Sequence, residues 1–266
     1  MKKIMKWVLI VFAVSGAAFV AFNLLLGVKQ KDCLEGEGPR AIEACTFLIA
    51  NHTAGYRADY LVRRAQLLEK RNEWDKVISD LELVIAMKTT AHLPPERVLA
   101  AYESLARMHL KKGNAAEIKK YFELAAQNGS KDPEIYISLA GTYVEEKKFQ
   151  EALGLLVTAG GFEKAKTHSY YNALASAYEG LNDYEKAYAA LRTGIALPAP
   201  GLILAGTSKH LGLVCYELKR YKEAETYLDY TLKSGMDCLE CGLLLTTIRG
   251  ALAPRAPAGR ARKPRK

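Results

Sequence analysis

Histidine is scarce in this 266-residue chain. Its five copies, His52, His92, His109, His168 and His210, never stand four apart, so no helical histidine metal site is written here. No glycine-rich phosphate loop, nucleophile elbow or pair of carboxylates in a defined setting occurs either. That leaves no catalytic residue to nominate, no cofactor and no metal to expect, and no enzyme. Acidic residues are outnumbered, 29 against 38 basic ones, yet the net charge of +9 is unevenly spread. Residues 1–32 hold five Lys and one Asp (+4), residues 249–266 hold seven basic side chains and no acid (+7), so 33–248 sum to −2. A nearly neutral body with basic ends does not read as a nucleic-acid-binding domain, and no nucleic acid is expected as partner.

What the chain does have is recurrence. Tyr171 to Gly194 reads as two helices of roughly a dozen residues joined by the polar turn Gly180-Leu181-Asn182-Asp183, an αα-hairpin. Small residues Ala175 and Ala187 mark where its two helices cross. Equivalent pairs are Ala65/Val77, Ala106/Ile118, Ala140/Ala152 and Gly212/Ala224, each twelve apart, with successive units stepping by 41, 34, 35 and 37 residues. Leu or Arg precedes the first marker (Arg64, Leu105, Leu139, Leu174, Leu211), and Leu81, Phe122, Leu156, Leu191 or Leu228 follows the second at +4. Three residues before the second marker stands Trp74, Phe149, Tyr184 or Tyr221, with Ala115 the exception. Large against small side chains at fixed helical spacing let paired helices approach closely and stack on the next pair.

The pattern resembles the tetratricopeptide repeat (TPR) family over about Ala58 to Ser234, in five units. The first unit departs from it with Val77 in place of the usual Ala and with an insertion, MKTTAHLPPER, at its exit. The expected fold is all-α: an N-terminal transmembrane helix, then a TPR-like α-solenoid of about five helix hairpins with capping helices. The expected divisions are 1–32 (membrane anchor or signal peptide), 33–57 (capping half-repeat), 58–252 (repeat domain with a C-terminal capping helix) and 253–266 (disordered basic tail).

Trp7 to Val28 contains only Ser15 and Asn23 as polar residues. At 1.5 Å per residue it spans about 33 Å, enough for a bilayer core. Two readings compete. Ser15-Gly16-Ala17 offers a signal-peptidase site, but cleavage there leaves a needlessly apolar mature end, and the length and Trp7 favour an uncleaved anchor. Lys2, Lys3 and Lys6 face Lys29 and Lys31 across the span, so basic residues barely choose an orientation.

The cysteines bear on that choice. Pro39 is placed to open a helix, Pro39 to Ile49, in which Ala41, Cys45 and Leu48 have the spacing of a repeat's second helix. A Cys33–Cys45 disulfide would staple a membrane-proximal strand to this cap; two independent buried thiols are the alternative. The lead-in CLEGEGPRAIEACTFLIA also resembles the start of many exported bacterial repeat proteins. A paired reading implies an oxidising compartment, hence a single-pass bacterial inner-membrane protein with its repeats in the periplasm. A cytoplasm-facing adaptor with reduced thiols is the competing topology.

Cys238 and Cys241 stand in Asp237-Cys238-Leu239-Glu240-Cys241, where Asp237 would cap a helix carrying both thiols in its first turn. That geometry suits a thiol–disulfide factor, but no βαβ pattern surrounds it, and with Cys215 the set is one ligand short of a zinc site. A structural disulfide or two buried thiols is the favoured reading. Beyond Arg249 the chain becomes GALAPRAPAGRARKPRK, a basic tail suited to an acidic surface or simply to solvent.

The resemblance also implies a concave face, lined at −6, −3, +1 and +4 from each first marker. Carried over, these positions are Ala100, Glu103, Arg107 and Leu110; Glu134, Ile137, Gly141 and Val144; Ser169, Asn172, Ser176 and Glu179; and Lys209, Leu213 and Tyr216. The mixture lacks a Lys/Asn cluster for a peptide carboxylate. It suits an extended peptide or helix held by apolar contacts with a few polar fixes, and thus a scaffold for protein partners in an envelope complex. The fifth unit, with Gly206 and Ser208, is expected to have a loosened helix start.

Overall fold

The structure, a computed structural model, describes residues 2–88 and 93–252, with side chains described from residue 18 onward except at 54 and 115. The insertion's residues 89–92 and the basic tail 253–266 lie outside it. Every described secondary-structure element is helical. Five hairpins follow in order: α3 (Ala54–Glu69) with α4 (Trp74–Ala86), α5 (Pro95–Lys112) with α6 (Ala115–Gln127), α7 (Pro133–Glu145) with α8 (Phe149–Gly160), α9 (His168–Gly180) with α10 (Tyr184–Ile195), and α11 (Gly201–Glu217) with α12 (Tyr221–Lys233). Before them come α1 (Lys2–Glu35) and α2 (Gly38–Asn51), and α13 (Leu239–Leu252) follows. The helices fall into two compact units, residues 1–130 and 131–266. In the first, each helix packs on the next from α1 to α6; in the second, the same holds from α7 to α13.

The repeat register is visible atom by atom. All ten crossing markers are buried, and so are Leu81, Phe122, Leu156, Leu191 and Leu228 at +4. Seven residues after each first marker the backbone turns left-handed, at Asn72 (φ 58°), Gly113 (71°), Lys147 (60°), Asn182 (60°) and Lys219 (59°). The next amide closes the turn onto a carbonyl five residues back: Glu73 on Leu68, Asn114 on His109, Lys148 on Tyr143, Asp183 on Tyr178 and Arg220 on Cys215, at 2.8–3.2 Å. This satisfies carbonyls that a helix end leaves open, and the second helix starts one residue later. Two of the five left-handed residues are lysines, which tolerate that conformation poorly.

Glycines mark the tightest approaches. A Cβ on Gly212 would lie 2.7 Å from Leu228 Cδ2, so the fifth unit has glycine where other units have alanine. A Cβ on Gly180 would lie 2.2 Å from the Phe149 ring, the aromatic that opens α8.

Two expectations are corrected here. No strand precedes the cap: α1 continues as helix through Cys33 to Glu35, and only Gly36 and Glu37 separate it from α2. Nor is the fifth unit's start loosened, because α11 runs unbroken from Gly201, with Ser208 buried and its Oγ donating to Leu204 O at 2.8 Å. Among the described residues no helix is long and apolar enough to cross a membrane. The described side chains of α1 begin at residue 18 and include Lys29, Lys31, Asp32 and Glu35; residues 7–17 of the expected span lie outside them.

Candidate partner-binding face

In the compact unit 1–130 the expected face lies on α5. Glu103 is half-buried and accepts from Ser130 Oγ at 2.5 Å, and Arg107 is exposed, 3.9 Å from Glu103. Leu110 and Ala100 are exposed. This side of α5 therefore offers one apolar contact beside an ion pair.

In the compact unit 131–266 the positions fare unequally. Glu134 is exposed, and Gly141 and Val144 are half-buried, whereas Ile137 is 5% exposed and presents nothing to a partner. Ile137 is hence removed from the candidate face: its place in the register puts an apolar side chain where neighbouring helices already cover it. On α9, Ser169 is exposed and Asn172, Ser176 and Glu179 are half-buried, as are Lys209, Leu213 and Tyr216 on α11.

A hydrogen-bonded chain joins α9 to α11. His168 Nε2 lies 3.1 Å from Leu197 O, and its Nδ1 lies 2.9 Å from Thr207 Oγ1. Asn172 Nδ2 donates to Thr207 Oγ1 at 3.1 Å, His210 Nδ1 lies 3.2 Å from Asn172 Oδ1, and His210 Nε2 meets Glu179 Oε1. The carbonyl of Leu197 can only accept, and with a neutral His168 imidazole the direction of the chain follows. His168 carries its proton on Nε2, so Nδ1 accepts from the Thr207 hydroxyl. Thr207 then accepts from the Asn172 amide, whose oxygen requires a proton on His210 Nδ1. A further proton must sit between His210 Nε2 and Glu179. The His210–Glu179 hydrogen bond closes this chain.

This arrangement corrects the idea that Asn172 is a free groove contact. Asn172 braces two repeats, and its loss would take one partner each from His210 and the buried Thr207, at about 1–3 kcal/mol for the latter. His168, Thr207 and His210 are members that motif reading missed. The signal for them was separation: Asn172 to Thr207 is 35 residues and Asn172 to His210 is 38, one repeat step in each case. The same step carries Tyr188 to Glu223, Arg192 to Tyr227 and Arg220 to Glu185, each 35 apart.

A family model described as "Tetratricopeptide repeat" matches residues 168–199, the unit that carries most of this chain. The fold is the TPR fold. Solved structures agree across the chain. That of YrrB, described as a TPR protein with an unusual peptide-binding site, is 17% identical over 79% of this chain and all of its own, with a TM-score of 0.60. That of BtubC (BKLC) from P. vanneervenii is 19% identical over 85% of this chain and 94% of its own, with a TM-score of 0.56. That of a MamA fragment from Desulfovibrio magneticus RS-1 is 16% identical over 68% of this chain and 95% of its own, with a TM-score of 0.52. No curated protein matches the sequence.

Both expected cysteine pairs stand at bonding distance. Cys33 and Cys45 have sulfurs 2.11 Å apart and lie fully buried between α1 and α2. Cys238 and Cys241 have sulfurs 2.07 Å apart, with exposures of 7% and 0%. Asp237 is not the cap of α13: the helix opens at Leu239, and Cys241 N–H lies 3.2 Å from Cys238 Sγ, so the sulfur occupies the capping position. The pair is packed into a core with Leu228, Leu245 and Ile248. Cys215 is free, and burial pushes its thiol up to about 12. Among the described residues no group of three or more His, Cys, Asp or Glu side chains could hold a metal ion.

Proposed function

We propose that the chain is a membrane-tethered, non-catalytic TPR scaffold that holds a peptide or helix of a protein partner in a bacterial envelope assembly. The observation that carries the partner-binding part is the face shared by α9 and α11. There the chain from Leu197 O to Glu179 locks two repeats together, while Ser176, Leu213 and Tyr216 stay half-exposed alongside. A surface whose polar groups are already satisfied and rigid loses little entropy when an extended segment docks on it. The peptide-binding site attributed to YrrB shows that this fold can serve such a role, and the analogy is one of fold only.

The tether rests on the apolar run from Trp7 to Val28, the far end of which exposes Phe19, Val20, Phe22, Leu24, Leu25 and Val28. A repeat body outside the cytoplasm is supported by four of five cysteines standing in disulfide geometry.

Affinity capture from detergent-solubilised membranes tests the binding face. Ser176→Arg places a long side chain on it without opening a core cavity, and Arg107→Ala removes the exposed charge of α5. We expect Ser176→Arg to lose the captured partner while the melting temperature holds. Retention of the same partner at undiminished yield by both variants would rule the face out.

A further inference from the structure

The turn between α2 and α3 lies level with the end of the apolar run, and we propose that it docks into the headgroup layer of the bilayer that α1 enters. This rests on the tether reading above and deepens it: the first unit does not hang on a linker but sits on the membrane surface.

Four observations carry it. α1 is one continuous helix into the cap, and Leu26, still within the apolar run, packs against the Cys33–Cys45 core with Phe47 and Ile49 of α2. From Trp7 to Leu25 is about 28 Å of helix, already the thickness of a bilayer core, so no slack separates core from cap. The helix end is also clamped. Arg63 of α3 donates to Cys33 O at 3.2 Å and to Gly36 O at 2.9 Å, taking up carbonyls that α1 leaves open, and the disulfide ties Cys33 to α2. The anchor and cap therefore move as one.

The chain then reverses at the right level. Asn51 ends α2 beside the apolar part of α1, and α3 starts at Ala54 and runs back along α1 until Arg63 meets Cys33. Tyr56, in the first turns of α3, lines a groove of about 400 Å³ with Gln30 and Leu34 of α1 and Tyr60. Finally, the turn has the chemistry of an interface. Tyr56 is 61% exposed, His52 packs against Tyr56 and Tyr60 at 5.8 and 5.3 Å, and the half-buried Arg57 donates from Nη2 to His52 O at 3.5 Å, which holds a cation at the turn. Amphipathic aromatics beside a cation are what the boundary between acyl chains and phosphates favours.

Depth-dependent fluorescence quenching tests this on the full chain in phosphatidylcholine/phosphatidylglycerol vesicles, with bromines either near the glycerol or near the bilayer centre. One chain carries Trp74→Phe and keeps Trp7 as reporter of the tether. Another carries Trp7→Phe, Trp74→Phe and Tyr56→Trp; a third replaces Tyr56→Trp by Asn51→Trp, in case the first substitution disturbs the fold. We expect loss of emission from the introduced tryptophan with shallow bromines and little with deep ones. Quenching of Trp7 but of neither introduced tryptophan would overturn the docking and leave the tether standing. No quenching in any of the three would overturn both.

Discussion

Arg64 occupies a position that is leucine in the other four units, and the structure supplies the reason. Its guanidinium forks onto Asp80 at 2.6 and 2.8 Å and donates to Thr46 of α2 at 2.9 Å, while Asp80 is 3% exposed. Arg64→Ala would leave a buried carboxylate unpaired, and should cost about 3–5 kcal/mol in denaturant unfolding. The double change Arg64→Leu with Asp80→Leu should recover most of that, since the other units place apolar or aromatic residues there. If the double variant is no more stable than Arg64→Ala, the penalty comes from elsewhere. His109 shows the opposite condition. It is 6% exposed, stacks on Tyr121 at 5.3 Å, and neither ring nitrogen has a partner among the described residues. Burial therefore lowers its pKa below the ordinary 6.5. The unfolded chain then takes up a proton that the folded state refuses, so stability falls as pH drops below about 6.5 and levels off only beneath the lowered native value. Melting temperatures across this range should fall less steeply for His109→Phe than for the wild type, and equal slopes would contradict the burial argument.

At the scale of elements, the cysteines decide how the ends of the helical array are held. Cys33–Cys45 closes the α1–α2 hairpin, and Cys238–Cys241 fixes the first turn of α13. Removing the first bridge frees a short loop in the unfolded chain and should cost about 3 kcal/mol in the chain-entropy account. Thiol counting by mass-tagging checks the whole set. Native protein should take no label, because Cys215 is buried and too weakly acidic to form thiolate at neutral pH. Denaturation without reductant should expose one thiol, and reduction all five. Five labels before reduction would remove the argument for an oxidising compartment.

For the whole molecule, the predictions separate selection from attraction. The face on α9 and α11 has shape and fixed dipoles, whereas the sequence of residues 253–266 is basic, with six Lys and Arg and no acid. At ~0.15 M salt exposed charges act over about 8 Å, so a basic tail attracts broadly without choosing. Deleting residues 253–266 should lower the yield of captured partner in a salt-dependent manner and leave its identity unchanged. Loss of one specific partner at every salt concentration would instead make the tail a recognition element.

The sequence by itself determined the repeat. Side-chain size at Ala140, Ala152, Ala175 and Ala187 and the aromatics at Trp74, Phe149, Tyr184 and Tyr221 are local requirements of one hairpin, so they recur at one period and can be read from it; the left-handed turn residues, two of them lysines, cannot. Cys33 with Cys45 was legible for the same reason, as a short-range pair beside a helix-opening proline. What only the tertiary structure decided is the partner each side chain takes. Ile137 is covered by neighbours, Asn172 is spent on Thr207 and His210, Arg64 finds Asp80, and Cys238 takes the cap expected of Asp237. Asn172 meets its partners one repeat away and Arg64 meets Asp80 across its own hairpin, and a periodic pattern fixes the positions that face each other without fixing the partner each side chain takes.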